Sequence, residues 1–425
     1  MRFLALVLVA LFPFSCLRAQ DDVRLAIKEH INKLSATSME GRGYVNKGAE
    51  KAALYIQARF RDMALAPVNP DGTFVQFYNF RVNTFPGAMQ LRIKDKMLIP
   101  GYDYLVDAMS SSSNMQEVKV TTINLDRVKD STKWEEMKGS FSANKVYYLR
   151  NADSFCKRFS IPFRKLAQTL PEACFIIPVH GKMTWTVGTD TIAPTVFYVQ
   201  DTVLPRKLKK VSVNVKSILQ NEYRNANMLA CVPGEIKDTF IVFSAHYDHL
   251  GRMGSAVFPG ASDNASGTAM MLYLAKYFSK HPQRYSIAFI GFSGEEAGLK
   301  GSDYFVKNPL IPLSNIKFLT NLDIMGDAKD GITVVNGTEY PEQFRMLKDI
   351  NEEKGYLPEI KSRGKAANSD HYHFSEAGVP AIFIYSNGGK GYYHDIFDKA
   401  SEIGMTNIVN VSKLLIEFTD RLNQK

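Results

Sequence analysis

The stretch Ser244–Gly267, SAHYDHLGRMGSAVFPGASDNASG, decides the fold. It begins at the end of a β-branched and aromatic run, 238–245, which predicts a buried strand that stops at His246. Because side chains alternate along a strand, His246 and Asp248 face the same side. Asp263 follows a loop of glycines and a proline, directly before a helical pattern. A histidine at a strand end and an acid at a helix start both lie on connections, where functional residues concentrate.

Three further apolar runs predict strands, and acidic or histidine residues follow each of them. The runs and these residues are 285–294 with Glu295 and Glu296, 317–322 with Asp323, and 379–385 with His394, which comes after a glycine-rich loop. Ligands of open α/β sheets bind at the carboxyl ends of the strands. A single histidine–aspartate pair is weak evidence for a metal site, but four such strand ends predict an α/β fold with one shared site. The alternative is four unrelated acids that cap helices or face solvent.

Five segments, taken together, resemble the co-catalytic di-zinc aminopeptidase family, which also includes glutamate carboxypeptidase and the non-catalytic transferrin receptors. The segments are AHYDHLG (245–251), PGASDNASG (259–267), GFSGEEAGLKGS (291–302), NLDIMG (321–326) and YYHD (392–395). The resemblance covers most of the chain after Asn225 and, less distinctly, residues 22–80. It implies a three-layer α/β/α peptidase domain with a mixed central sheet.

The resemblance also implies a role for each motif residue. Five residues would bind two Zn²⁺ ions: His246 and Asp323 for one ion, Glu296 and His394 for the other, and Asp263 bridging both. Glu295 would be the general base and acid, and Tyr393 would stabilise the oxyanion of the tetrahedral intermediate. Asp248 would lie behind His246 and fix its tautomer. Imidazole nitrogens and carboxylate oxygens are ligands that suit Zn²⁺, and no thiolate competes with them.

The function that the resemblance implies is a zinc-dependent aminopeptidase, which hydrolyses N-terminal residues from peptides with a metal-activated water. Two alternatives stay open: a single-zinc glutaminyl cyclase of the same fold, and a non-catalytic receptor-like binding protein. The presence of every ligand and of the base favours the two-metal enzyme. Near the motifs, Arg252 and Lys300 are possible partners for a substrate carboxylate, but no arginine cluster commits the site to carboxypeptidase action. Side-chain preference and oligomeric state cannot be read from the sequence.

The N-terminus predicts export. Met1-Arg2 and the apolar run 3–12 are typical of a signal peptide, residues 1–20, with cleavage near Ala19 or Gln20. The run is too short to span a membrane. We therefore expect a periplasmic or secreted protein, with lipid attachment at Cys16 as the less favoured alternative.

Composition fits a globular chain of about two domains, with 425 residues, of which 45% are hydrophobic and 22% charged. The formal net charge is +9, and removal of Arg2 and Arg18 with the signal peptide lowers it to +7. The basic residues are scattered, apart from a short cluster at 206–210. We therefore expect no nucleic-acid partner, whereas the resemblance implies peptide substrates.

The predicted peptidase domain comprises residues 21–82 and 214–425. Two helices are expected within 22–64, and the Glu40–Arg42 turn between them would line the cleft or, more simply, form a loop-stabilising pair. Residues 83–213 predict an inserted, β-rich, protease-associated-like domain with one helical pattern near 154–170. That domain would cover the cleft, bind a partner or serve a purely structural role.

Three cysteines and two histidines remain outside these assignments. If any disulfide forms, we expect Cys156 with Cys174, which bracket the helical pattern, whereas Cys231 should be a buried thiol. The segment Ser369-Asp370-His371 resembles the family's loop beside the substrate pocket. His371 and His373 are expected in the wall or at the surface and not among the ligands.

Overall fold

A computed structural model describes the backbone of residues 12–424 and the side chains of residues 20–424. The predicted signal peptide lies largely outside these residues, and Cys16 lies outside the described side chains. The helices are α1 (Phe12–Leu34), α2 (Gly48–Asp62), α3 (Ser131–Gly139), α4 (Ala152–Phe159), α5 (Phe163–Ala167), α6 (Gly267–Phe278), α7 (Lys300–Lys307), α8 (Pro341–Lys354), α9 (His371–Glu376) and α10 (Ile408–Gln424). Within the described range, no helix is long and apolar enough to cross a membrane.

The strands form two large sheets and one small hairpin. Their bounds are β1 (Ala66–Pro67), β2 (Val75–Thr84), β3 (Met89–Ile93), β4 (Lys96–Met97), β5 (Tyr104–Val106), β6 (Ser113–Asn124), β7 (Val146–Arg150), β8 (Cys174–Val179), β9 (Thr195–Gln200), β10 (Lys210–Val215), β11 (Ile218–Val232), β12 (Ile236–His246), β13 (Gly251–Met253), β14 (Ala256–Phe258), β15 (Tyr285–Phe292), β16 (Ile316–Leu322), β17 (Ile332–Val335), β18 (Ile360–Arg363) and β19 (Ala381–Ser386).

The central sheet is mixed and has nine strands, in the order β1-β11-β15-β12-β16-β19-β17-β18, with β2 also paired to β11. Its middle strands, β15, β12, β16 and β19, run parallel to one another. The four predicted strands that precede the motif residues are these four, so their carboxyl ends meet at one edge.

Helices cover both faces of the central sheet, because its buried strands are apolar on both sides. In β12, Ile241 and Phe243 pack into a core with α1, α2, α6 and α10. The intervening Val242 points to the opposite core, where Phe305 of α7 and Phe374 of α9 pack. The predicted three-layer α/β/α class is confirmed, and the expected apolar face of α6 lies in the first core.

The β-rich segment forms a separate eight-stranded sheet, in the order β4-β3-β10-β6-β7-β8-β9-β5. The segment is rich in strands, as expected, but the single helix expected near 154–170 is wrong, because two short helices lie there. Ser160 takes a left-handed conformation (φ 51°) and ends α4, and the extended Pro162 precedes α5. Helix α3 was missed, although the Asp130 side chain caps it by accepting from the Lys133 backbone N–H at 2.8 Å. The boundaries at 83 and 213 stay predictions.

The described cysteines are free thiols, so the expected Cys156–Cys174 pair does not form. Cys174 lies in the core on one face of the second sheet. Cys156, on α4, packs against the core on the other face. The sheet separates the two sulfur atoms, which chain order alone could not show. Cys231 is a buried thiol, as expected.

Candidate metal centre

Parallel strand ends gather the predicted ligands at one edge of the central sheet. His246 is the last residue of β12 and pairs in register with Phe292, which ends β15 shortly before Glu295 and Glu296. Asp323 directly follows β16. All of these strands are hydrogen-bonded to a neighbour on each side, so the backbone that carries the side chains is fixed on both flanks.

We name the first set of side chains the strand-end half; it consists of His246, Asp323 and one oxygen of Asp263. His246 Nε2 lies 3.3 Å from Asp323 Oδ1 and 3.4 Å from Asp263 Oδ1. All three residues are buried, and their potential ligand atoms lie within 4.8 Å of one another. Among the described residues, Asp323 Oδ1 has no hydrogen-bond partner. A buried carboxylate oxygen without a donor is costly unless a cation satisfies it, so these residues fit a bound metal.

We name the second set the loop half; it consists of His394, Glu296 and the other oxygen of Asp263. His394 Nε2 lies 3.1 Å from Asp263 Oδ2 and 3.1 Å from Glu296 Oε2. Asp263 thus directs one carboxylate oxygen toward each histidine. The structure therefore brings all five predicted ligands together, with Asp263 in the central position that the bridging role requires.

Backbone carbonyls set the tautomers of both histidines. His246 Nδ1 is 3.2 Å from the carbonyl oxygen of Asp248, and His394 Nδ1 is 3.0 Å from that of Trp185. A carbonyl only accepts, so each Nδ1 carries a proton, and each Nε2 is the nitrogen that faces the carboxylates and would be free to bind a metal once deprotonated. Neutral imidazole in this tautomer is a metal ligand.

Asp248 acts through different atoms from those expected. Its Oδ1 lies 3.7 Å from His246 Nδ1, beyond hydrogen-bond distance, so the expected carboxylate contact is replaced by the backbone carbonyl. The carboxylate instead accepts from the backbone N–H groups of Glu295 and Glu296, both at 3.3 Å, and from the Tyr44 hydroxyl at 2.6 Å. Asp248 therefore fixes the turn that presents the two glutamates.

His249 is a site residue that the sequence analysis did not assign. It is fully buried, and its Nδ1 donates to Glu296 Oε1 at 2.7 Å. Its potential ligand atom also lies within 4.8 Å of those of Asp263 and Glu296, so a third histidine adjoins the loop half. His394 Nε2 faces oxygens of both Asp263 and Glu296, whereas His249 Nδ1 holds Glu296 alone, so we assign His394 to the metal and His249 to holding that carboxylate. Its place three residues after His246, inside the motif, was the available signal.

The side chains of Asp398 and Arg42 hold the backbone of Asp263. The loop-stabilising pair expected between Glu40 and Arg42 does not form. Asp398 accepts from the backbone N–H of Asp263 at 3.0 Å. The Arg42 guanidinium is fully buried and donates to five backbone carbonyls, including that of Asp263 at 3.2 Å. Glu40 instead pairs with Arg252. Arg42 thus holds the motif loops together. Burial lowers the pKa of its guanidinium to about 10.

The Ser369-Asp370-His371 segment supports the strand-end half. Ser369 Oγ donates to Asp323 Oδ2 at 2.9 Å and accepts from Asn321, whose side-chain oxygen in turn accepts from Ser244. This chain fixes Asp323 from within the central sheet. His371 is buried, and burial lowers its pKa to about 4; it is not in either ligand group, as expected.

Charges in the site shift its pKa values in opposite directions. Burial works against ionisation of Asp263 and Glu296, but the neighbouring histidines outweigh it, so the pKa of Asp263 falls well below its usual range and that of Glu296 falls to about 2. Despite its burial, His394 has a pKa raised to about 11 by the same carboxylates. Burial, together with the nearby acids, raises the pKa of Glu295 well above its usual range. The site concentrates negative charge, which divalent cations would balance.

Tyr393 borders both the metal centre and an open cavity. Its ring stacks on that of His394 with centroids 3.8 Å apart, and 49% of the residue is exposed. A cavity of about 360 Å³ is lined by Tyr393, Tyr392 and Asp263 among others. Phe397 contacts both Tyr392 and Tyr102, which comes from the β-rich segment. Exposed aromatic side chains therefore lie beside the candidate site.

The comparisons with known proteins agree with this geometry. Residues 227–419 match the model of peptidase family M28. This part of the chain contains every predicted ligand.

Two curated proteins show the range of relatives. The chain is 27% identical over 227 residues to a probable leucine aminopeptidase of Trichophyton verrucosum (strain HKI 0517), across 48% of this chain and 57% of that protein. It is 30% identical over 196 residues to aminopeptidase YwaD of Bacillus subtilis (strain 168), across 43% of this chain and 41% of that protein. The chain thus matches only about half the length of these relatives.

Solved structures share the fold over nearly the whole chain. The structure of BSAP, a zinc aminopeptidase from Bacillus subtilis, superposes with a TM-score of 0.69 at 19% identity, covering 94% of this chain and 95% of that one. At this level of identity the similarity shows the fold.

Proposed function

We propose that this protein is a two-zinc aminopeptidase that releases residues from the free amino termini of peptides. The observation that carries the proposal is the position of Asp263, with Oδ1 near His246 and Oδ2 near His394. Such sharing of one carboxylate suits two adjacent cations, and it has no evident use for the single zinc of a cyclase. The M28 family match supports a peptidase.

Zinc ions held by these residues would polarise the scissile carbonyl and lower the pKa of the attacking water. We propose Glu295 as the residue that moves the proton, supported by its Oε2, which lies 4.0 Å from His246 Nε2 at the edge of the ligand cluster. Its backbone is fixed through Asp248, so the carboxylate is presented to the site without serving as one of the five ligands. It would accept the proton of the water and pass it to the leaving amine.

The charges around the site favour an amino terminus over a carboxyl terminus. The carboxylates form an acidic pole that attracts a protonated amine. Of the two basic residues that were candidates for binding a carboxylate, Arg252 is paired with Glu40, and Lys300 is the first residue of α7. Arg42, which is also near the site, donates to backbone carbonyls. A substrate carboxylate would therefore meet negative charge in this part of the structure.

The mouth of the site favours apolar substrate side chains. Tyr102, Tyr393 and Phe397 are each at least 40% exposed, although aromatic rings of this size are ordinarily buried. Exposed apolar surface next to a cleft is typical of ligand binding. We expect peptides with aromatic or aliphatic residues to be preferred over those with charged residues.

The test is hydrolysis of a peptide panel by the purified full chain, with the zinc content measured in parallel. Free peptides should lose single residues from the amino terminus, N-acetylated versions of the same peptides should be resistant, and two zinc ions should bind per chain. Release of the C-terminal residue first would overturn the aminopeptidase assignment. One zinc with cyclisation of N-terminal glutamine would indicate a cyclase, and no zinc would indicate a receptor-like protein.

We also propose export through residues 1–20, supported by the apolar run after Arg2. N-terminal sequencing of the protein recovered outside the cytoplasm should begin near Gln20 or Asp21. Recovery of the uncleaved chain in the cytoplasm would contradict this.

A further inference from the structure

The loop that carries His394 has little structure of its own. Residues 387–399 contain no helix or strand. Gly388 and Gly391 have φ values of 121° and 71°, and His394 itself is left-handed, with φ 57°. Such a conformation is uncommon for a non-glycine residue and persists where the surroundings enforce it. The position of this metal ligand must therefore be set from outside the loop.

The β-rich segment supplies that support through Trp185, in the connection between β8 and β9. The Trp185 backbone N–H donates to the carbonyl of His394 at 2.9 Å. The Trp185 carbonyl accepts from His394 Nδ1 at 3.0 Å. The two bonds fix both the backbone and the ring of His394, and the second also selects the tautomer whose Nε2 faces the carboxylates.

The Trp185 backbone is held in turn by its side chain. The indole ring stacks on Phe258, with centroids 4.9 Å apart and planes 21° apart. Indole Nε1 donates to the carbonyl of Val106 at 2.8 Å. The same core joins residues of the second sheet to the β13–β14 hairpin. Trp185 is thus anchored on both parts of the molecule at once.

A second contact fixes the same loop beside Trp185. Lys182 Nζ donates to the carbonyl of Gly391 at 2.6 Å and lies 3.2 Å from a carboxylate oxygen of Asp395. On another side of the loop, a Cβ at Gly101 would lie 2.8 Å from Ile396, so the turn before β5 packs directly against it. The β-rich segment therefore contacts the His394 loop at more than one point.

We propose that Trp185 is a positioning residue for one of the two metal sites, so that the β-rich segment completes the metal centre and is more than a cover over it. This inference rests on the proposed two-zinc function. The ligand concerned is the divalent cation of the loop half. The strand-end half, whose supports lie in the central sheet, does not depend on Trp185.

The test compares the two tryptophans of the chain, both in the β-rich segment and both 6% exposed. Zinc affinity is measured by titration against a chelating dye for the wild type, Trp185→Ala and Trp134→Ala. Trp134 packs on Phe155 in the other core of the second sheet, away from the metal centre. Trp185→Ala should weaken one of the two zinc sites by about 10- to 100-fold, as loss of an outer support does. Trp134→Ala should lower thermal stability but keep both affinities.

Variants that lack one of the two histidine ligands identify which zinc site is affected. In His246→Ala, where the loop half alone remains complete, Trp185→Ala should weaken the residual zinc by the same 10- to 100-fold factor. In His394→Ala, adding Trp185→Ala should change nothing further, because its target is already absent. Equal weakening in both backgrounds would show a general structural effect and overturn the inference.

Two milder variants keep the test decisive if Trp185→Ala does not fold. Trp185→Phe retains a stacking ring but lacks the Nε1 donor, and Lys182→Ala alters a side chain that is 41% exposed. Each should weaken the same site by a few-fold, whereas the matched surface variant Lys133→Ala should not. Unchanged zinc affinity in both variants would refute the inference. A wild type that binds fewer than two zinc ions would instead refute the proposed function.

Discussion

The two halves of the candidate metal centre are built in opposite ways. In the strand-end half, His246 ends a strand paired on both sides, and Asp323 follows the strand next to it. In the loop half, His394 lies on a glycine-rich loop and is held by Trp185, which lies in the connection between β8 and β9 of the second sheet. One half is fixed by the backbone ladder of the central sheet and the other by contacts across the molecule.

The two halves differ in how much conformational freedom their ligand residues lose when a metal binds. A side chain at the end of a hydrogen-bonded strand has a backbone that folding has already fixed, so little freedom is lost when a metal binds. A loop residue keeps more freedom unless other segments restrain it. We therefore expect the two zinc ions to bind with different affinities, with the loop half the weaker and the more sensitive to distant substitutions.

The largest effect should come from the residue that both halves share. Asp263→Asn removes the charge that balances two cations, so zinc content should fall from two ions toward none and activity should be abolished. Elemental analysis of the dialysed protein measures this. The exposed Asp238→Asn on β12 is the matched control and should retain both ions. Two tightly bound zinc ions in Asp263→Asn would show that Asp263 does not bridge.

Glu295→Gln should separate catalysis from metal binding in both halves. It removes the proton acceptor without changing a ligand, so both zinc ions should remain while kcat falls by about 10²- to 10⁴-fold, the usual contribution of general acid–base catalysis. The measurement is kcat with a free peptide alongside zinc content. A variant that keeps near wild-type turnover would mean that another group moves the proton.

The comparison of the halves is tested most directly by their histidines. His394→Ala should retain one zinc with the higher of the two wild-type affinities, and His246→Ala should retain one with the lower. We expect the two residual affinities to differ by about tenfold, which corresponds to roughly 1.4 kcal/mol. Chelator competition measures both. Equal affinities, or the reverse order, would refute the claim that strand ends organise the tighter site.

A side chain that donates a hydrogen bond to a metal ligand should affect zinc affinity only in the half to which that ligand belongs. Ser369→Ala removes the donor to Asp323, and His249→Ala removes the donor to Glu296, so each should weaken one zinc site by about 10- to 100-fold. His249→Asn should recover part of the loss, because its amide nitrogen lies near the place of Nδ1. If His249→Ala weakened the site that Ser369→Ala weakens, the division into halves would be wrong.

The smallest effect concerns substrate selection beside the loop half. Tyr102→Ser removes one ring of the aromatic mouth and should raise KM for peptides with an aromatic N-terminal residue by about two- to tenfold, the usual worth of an aromatic contact. KM for the matching N-terminal serine peptide should stay constant and serves as the control. An equal rise for both peptides would place Tyr102 outside side-chain recognition.

The sequence by itself determined the strand-end half and the class of fold. The alternation of apolar residues in β12 and β15 placed them between two helical layers, and motif residues at strand ends must meet when the strands are parallel. Local pattern and chain order therefore place His246 and Asp323 of the strand-end half at one edge, together with Glu296 of the loop half. The resemblance to a family added the bridging and catalytic roles.

The contacts that hold those residues in place arise when the chain folds. Arg42 contacts carbonyls more than 200 residues away, and Trp185 contacts His394 across 209 positions. The carbonyl of Asp248, and not its carboxylate, faces His246 Nδ1. Each of these bonds has a backbone group on at least one side, and backbone groups are the same in every residue. No pattern of side chains reports them, so they become visible when the chain has folded.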